Sequence, residues 1–194
     1  MYNPPLQYFR HALQADSILV EQHENYVKQS YRNRCQVLTA HGVMPLSIPV
    51  LRGNSKDKTH ITEIEIDYSQ KWHNVHWRTI QAAYGRAPYF EFYSDYIRDV
   101  YEQQPKYLFD LNVSLLRLYL KFLKLNKPLE FTTSYKETTA ENVLDLRNKV
   151  HPKIIPDILH VKPYTQVFGK QFVQELSIID LLFTQGPESL SYLQ

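Results

Sequence analysis

Cys35-Gln36-Val37-Leu38 runs into Ala40-His41-Gly42 and returns as Met44-Pro45-Leu46-Ser47-Ile48-Pro49-Val50. Two β-rich runs across a short glycine-containing turn predict a hairpin. Pro45 and Pro49 lack the N–H that a ladder needs, so the returning strand is expected at an edge or irregular. Before the hairpin, Leu6, Phe9 and Leu13 recur at helical spacing behind Pro4-Pro5, and Ser17-Ile18-Leu19-Val20 is β-rich. After it, residues 52–60 read as an exposed polar loop. Residues 61–67 alternate Ile61, Glu63 and Glu65 against Thr62, Ile64 and Ile66, which predicts a half-buried strand.

Further along, Trp72, His76, Ile80 and Ala83 or Tyr84 share one helical face that ends at Gly85, with Ser69 as the expected N-cap. Helices are expected at 94–103 and at 111–125. The latter starts behind Asp110 as its cap, and its apolar positions run nearly all round, so it should be central. Residues 129–133 read as a strand. Leu176-Ser177-Ile178-Ile179-Asp180-Leu181-Leu182-Phe183 reads as an apolar helix stopped by Gly186-Pro187. Residues 137–162 give no clear pattern. Interspersed strands and helices without a repeat or linker predict the α/β class: a single mixed domain over 1–194, with an N-terminal β-hairpin region and several packed helices.

Composition narrows the function classes. Among 194 residues, 22 Lys and Arg against 20 Asp and Glu leave a formal charge of +2, so charge alone names no partner. Hydrophobic residues at 43% and charged residues at 22% fit a soluble, folded chain, and no apolar run approaches the roughly eighteen residues of a membrane span. An isoelectric point near 8.5 is too low for a nucleic-acid footprint. Fifteen tyrosines against five glycines predict a core rich in hydroxyl-bearing rings and nearly exclude glycine-rich phosphate loops; no cofactor is expected. The lone Cys35 cannot form an internal disulfide, and no charged-then-apolar leader precedes Tyr2-Asn3-Pro4-Pro5, so the reducing cytoplasm is the expected location.

The densest polar run is Glu21 through Arg34, placed behind a strand, where ligand loops of open α/β sheets lie. Lys28, Arg32 and Arg34, with the amides Gln29 and Asn33, suit a phosphate or carboxylate; a solvated basic turn is the other reading. His76, flanked by Trp72 and Ile80, should point inward, either as a general base or as a satisfied core histidine. Tyr84 extends the same face. Asn112 on an apolar helix needs a ligand or backbone partner, and Asp180 needs a cation or donors, most simply a structural ion pair. His73 and His76 lack a third ligand at a recognisable interval, so no metal is expected. Cys35 is a nucleophile only if exposed, while Ser177 and Ser189 read as helix-terminus groups.

Six ordered blocks resemble the WbqC-like family: Tyr31-Arg32-Asn33-Arg34-Cys35; Leu46-Ser47-Ile48-Pro49-Val50; Ser69-Gln70-Lys71-Trp72 with His76-Trp77; Tyr84-Gly85-Arg86-Ala87-Pro88-Tyr89-Phe90; Asp110-Leu111-Asn112; and Leu176 through Phe183 with Gly186-Pro187-Glu188-Ser189. That resemblance implies a cytoplasmic bacterial protein, some relatives being associated with surface-polysaccharide biosynthesis, and suggests acyl or aminoacyl transfer. The family's opening His-Gln-Pro-Asn is represented only by Asn3-Pro4-Pro5-Leu6-Gln7. Its glycine-rich Ser-Gly-x-Gly-Gly segment is replaced by Asp145-Leu146-Arg147-Asn148-Lys149. The expectation is a small-molecule transferase or hydrolase. Lys28, Arg32 and Arg34 would hold a small anionic metabolite or carrier-bound acyl group, Asn33, Trp72 and Asn112 would orient it, and His76 would act as base beside Tyr84. The alternative is a non-catalytic ligand-binding or assembly protein. Oligomeric state is open.

Overall fold

The computed structural model describes residues 1–51, 59–154 and 161–194. Most of the expected 52–60 loop, and part of the patternless 137–162 stretch, lie outside these. The fold is mixed α/β, with small sheets among packed helices. Its first helix, α1 (Leu6–Gln14), buries Leu6, Phe9 and Ala12, and the N-terminal segment is sewn to the C-terminal region by Leu6 N–H to the Leu176 carbonyl and Ile178 N–H to that of Pro4. The hairpin forms from β2 (Arg34–Thr39) and β3 (Gly42–Ser47), in register from Arg34 opposite Ser47 to Thr39 opposite Gly42. Gly42 supplies the turn at φ 101°, a conformation side chains resist. Among the described residues β3 pairs with β2 alone, so the ladder has no second neighbour to lose at Pro45. Strand alternation turns Cys35 and Val37 into the core and leaves Arg34 and Gln36 half-buried on the other face.

A second small sheet joins β1 (Ile18–Val20) in parallel to β4 (Leu129–Phe131). Among the described residues the two two-stranded sheets offer no topological switch point, so the run 21–34 does not occupy the loop site of an open α/β sheet. Nor do residues 61–67 form a strand. Ile61–Glu63 is a 3₁₀ turn, followed only by isolated bridges from Glu65 to Tyr107 and from Ile66 to Val50. Backbone bonds here go to several elements, Ile61 N–H to Glu24 and Leu108 N–H to Ile64, so no continuous ladder develops.

Of the helices α2 (Trp72–Tyr84), α3 (Phe90–Glu102) and α4 (Leu108–Phe122), α3 packs against both α2 and α4, and α2 packs against β2 of the hairpin. Lys71, not Ser69, precedes α2 as its N-cap, in a left-handed conformation, while the Ser69 N–H turns back to Asp67 Oδ1 at 2.9 Å. α3 begins four residues earlier than the periodicity suggested because Phe90 starts the buried stripe Phe90, Ser94, Ile97 and Tyr101. Asp110 sits in the first turn of α4 rather than capping it. The wholly enclosed helix is α5 (Ile178–Gln185), where every residue through Thr184 is buried; α4 keeps Arg117 and Lys121 in solvent. Ser177 caps α5, its hydroxyl accepting from Ile179 N–H. Phe183 meets the rings of Tyr84 and Phe90 at centroid distances of 5.4 and 4.9 Å, and burying such a side chain stabilises the fold by roughly 1.5–3 kcal/mol. Gly186 ends α5, and α6 (Ser189–Leu193) closes the chain against α1. Among the described residues no helix is long and apolar enough to cross a membrane.

Candidate functional site

Most of the side chains singled out in the sequence fall into three separate networks, while Lys28 stays exposed. In the first, Arg32 is taken up by its own protein. Its Nε donates to Glu24 Oε1 at 2.7 Å, Nη2 reaches Glu24 Oε2 and also Asn148 Oδ1 at 3.0 Å, and both partners are nearly enclosed. A bidentate guanidinium–carboxylate pair engages most of the Arg32 donors within the protein itself. Asn112, on the first turns of α4, donates to the Arg32 carbonyl at 2.7 Å. Asn33 Nδ2 donates to the Ile48 carbonyl at 2.9 Å, and Ile48 N–H answers to the Asn33 carbonyl at 2.8 Å, fixing the start of the hairpin.

Arg34 differs. Its guanidinium, like that of Arg32, lies close enough to the Tyr26 phenol to oppose the rise that burial causes in its pKa. No carboxylate among the described residues pairs with Arg34. Its buried Nε, and the buried Oδ1 atoms of Asn33 and Asn112, lack a partner among the described residues. Lys28 stands exposed on the turn before them.

The second network encloses His76. Tyr119 O–H donates to Asn3 Oδ1, Asn3 Nδ2 to Tyr101 Oη at 2.9 Å, Tyr101 to Tyr2 Oη at 2.9 Å, and Tyr2 to His76 Nδ1 at 2.8 Å. Because Tyr101 Oη already accepts from Asn3, its own proton is free for Tyr2, and Tyr2 in turn can donate to Nδ1 of a neutral His76 ring. Burial lowers the His76 pKa to about 4, so the ring is neutral near pH 7 and far from the tuned value of a general base. Trp72 packs its ring 5.1 Å from that of His76 and is itself buried. Cys35, 1% exposed, takes a weak bond from Asn3 Nδ2 at 3.7 Å, and burial pushes its thiol up to about 12; it is an interior thiol.

Tyr84 belongs to a third network, away from His76. Its hydroxyl accepts from Leu38 N–H at 3.0 Å and faces Asp180. Asp180 Oδ2 accepts from Tyr164 at 2.6 Å and from Gln166 Nε2 at 3.2 Å, so hydroxyl and amide donors, not the expected cation, meet one oxygen of this carboxyl inside α5, while Oδ1 lacks a partner among the described residues. Burial raises its pKa, and these bonds counter the rise. Tyr84 is thus a strut between β2 and α5.

Neither of two surface concavities is lined by the expected site residues. One, of about 500 Å³, lies at the end of α4 among Arg117, Lys121, Lys124 and Lys127 over a floor of Leu120 and Leu125. The other, of about 230 Å³, includes Gln36, Tyr31 and Glu175. Glu175 has no local sequence signature, because its neighbours in space come from distant parts of the chain. Among the described residues no three His, Cys, Asp or Glu side chains gather as metal ligands would.

The model of the WbqC-like protein family matches residues 1–155 and 157–192. The chain belongs to the WbqC-like protein family. An uncharacterised protein of Mycobacterium tuberculosis is 25% identical over 221 aligned residues, an alignment that takes in all of this chain and 94% of that relative. No solved structure matches. In this WbqC-like protein the blocks that carried the resemblance supply chiefly interior residues: Asn33, Trp72, His76, Tyr84, Asn112, Asp180 and Ser189 are all buried.

Proposed function

We propose that this WbqC-like protein binds a small, hydroxylated anion at Arg34 and serves as a ligand-binding protein rather than turning that ligand over at His76. The observation that carries the reading is the Arg34 guanidinium, half-buried beside Tyr26 with its Nε enclosed and unpartnered among the described residues, while its neighbour Arg32 is satisfied. Buried polar atoms left without partners are few in folded proteins and each calls for a cause. A phosphate monoester or hydroxy acid supplies one: its oxyanion accepts from Arg34 and Lys28, and its hydroxyls donate to the oxygens of Asn33 and Asn112.

Acyl or aminoacyl transfer in surface-glycan metabolism is the finer reading that the family suggests. It needs a base beside the ligand, and His76 is buried in another network, bonded through Nδ1 to Tyr2, with its pKa lowered to about 4 by burial. The weight therefore falls on binding, in the cytoplasm, by one unit spanning 1–194.

Thermal melts with phosphate, phosphate monoesters and hydroxy acids test this. A matching anion at one hundred times its dissociation constant stabilises the wild type by about 2.7 kcal/mol. Arg34→Met should melt as the wild type does without ligand and lose the response, whereas Lys121→Met with Lys124→Met, in the α4 groove, should keep it. A response retained by Arg34→Met, or lost only in the groove variant, overturns the assignment.

A further inference from the structure

The smaller concavity carries chemistry that an anion site cannot use. Its walls come from five parts of the chain: Gln7 of α1, Tyr31, Gln36 of β2, His151 with Lys153, and Glu175 just before α5. Gln7, Gln36 and Glu175 are half-buried, and among the described residues no hydrogen bond or ion pair engages the ends of their side chains. Glu175 is held at φ 59°, a left-handed backbone uncommon for a residue with a long side chain. Lys153, exposed at the rim, is directed to Gln29 Oε1 at 3.2 Å rather than to this carboxyl.

We infer that this cavity binds a small primary ammonium compound, whose three N–H donors are shared by the Glu175 carboxylate and the amide oxygens of Gln7 and Gln36. An ammonium is all donor and no acceptor, and three side chains here can each present an acceptor oxygen, since a glutamine amide rotates to suit. The Tyr31 ring offers an aromatic wall to the methylene next to the cation. Glu175 repels an anion. Lys153 at the mouth repels a second positive charge, so a monoamine fits better than a diamine. About 230 Å³ is below the usual range for drug-sized ligands, which limits the guest to a few heavy atoms.

The carboxyl also makes the binding pH-dependent. Burial raises the Glu175 pKa to about 7 against the opposing field of Arg10; Tyr31, Tyr164, His151 and Lys153 are the other titratable groups around it. An ammonium pairs with the ionised form, so affinity rises with pH up to about 7 and then levels off until the amine itself loses its proton.

Calorimetric titration of the full chain with ethanolamine is the test. Ethanolamine should bind about tenfold more weakly at pH 6 than at pH 8, the factor set by protonating a group of this pKa. Glu175→Gln should bind it at least about tenfold more weakly at pH 8 and lose the pH dependence, and tetramethylammonium, a cation without N–H donors, should bind the wild type more weakly than ethanolamine does. A pH-independent affinity, equal binding of tetramethylammonium, undiminished binding by Glu175→Gln, or no binding of ethanolamine at 10 mM (about the weakest affinity such a guest could usefully show) overturns the proposal. The wild-type pH series stands even if the variant misfolds, and Arg34→Met, which should abolish anion binding, should leave ethanolamine binding unchanged.

Discussion

Gly186→Ala is expected to destabilise the protein by about 3 kcal/mol or more, read as the shift in the midpoint of urea unfolding. Gly186 ends α5 at φ 54° and ψ −126°, a region closed to residues that carry a Cβ. A Cβ built there would lie 2.4 Å from Cγ and Cδ1 of Tyr89, whose N–H is bound to the Phe183 carbonyl at 3.0 Å. The ring can turn outward only by giving up its packing, and the backbone strain would remain. Gly42→Ala separates the two contributions. It also has positive φ, 101°, but its Cβ would meet nothing within 4 Å, so a loss of only about 1 kcal/mol is expected. Equal effects at the two positions would show that the collision with Tyr89 contributes nothing.

Arg32→Met should cost about 3 kcal/mol because it strands the Glu24 carboxylate in a site where both partners are more than four-fifths enclosed. Adding Glu24→Leu should recover most of that loss, since replacing both members of a buried pair by apolar groups is commonly neutral or better. A double-mutant cycle in urea, completed with Glu24→Leu alone, therefore yields a coupling energy of about 3 kcal/mol or more. If Arg32 served a ligand instead, the single variant would fold with near wild-type stability and only binding would fail.

The same pair shows where the sequence was readable and where reading stopped. Arg32 and Glu24 lie eight residues apart in one polar run, and counting its cations as free overlooked the carboxylate beside them. The hairpin was legible because a glycine turn and two β-rich runs are local signals. So was the face of α2, where His76 turns inward as its spacing with Trp72 and Ile80 requires. What His76 touches was not legible, since Tyr2 lies 74 residues away and Tyr101 completes the relay from another helix. Residues 61–67 alternate like a strand, yet their backbone partners are scattered over Glu24, Val50 and Tyr107, so the pattern recorded burial of Ile61, Ile64 and Ile66 without a ladder. The Glu175 cavity draws on residues from Gln7 to Glu175 and has no local signature at all.

The claim that Arg34 is the ligand-bearing cation is tested most directly by following arginine side-chain Nε–H resonances in a ¹⁵N-labelled sample while inorganic phosphate is added. The Arg34 resonance, assigned by its absence in Arg34→Met, should move in a saturable way while that of Arg32 stays fixed. A saturable shift confined to Arg117 in the α4 groove, with Arg34 unmoved, would contradict the account.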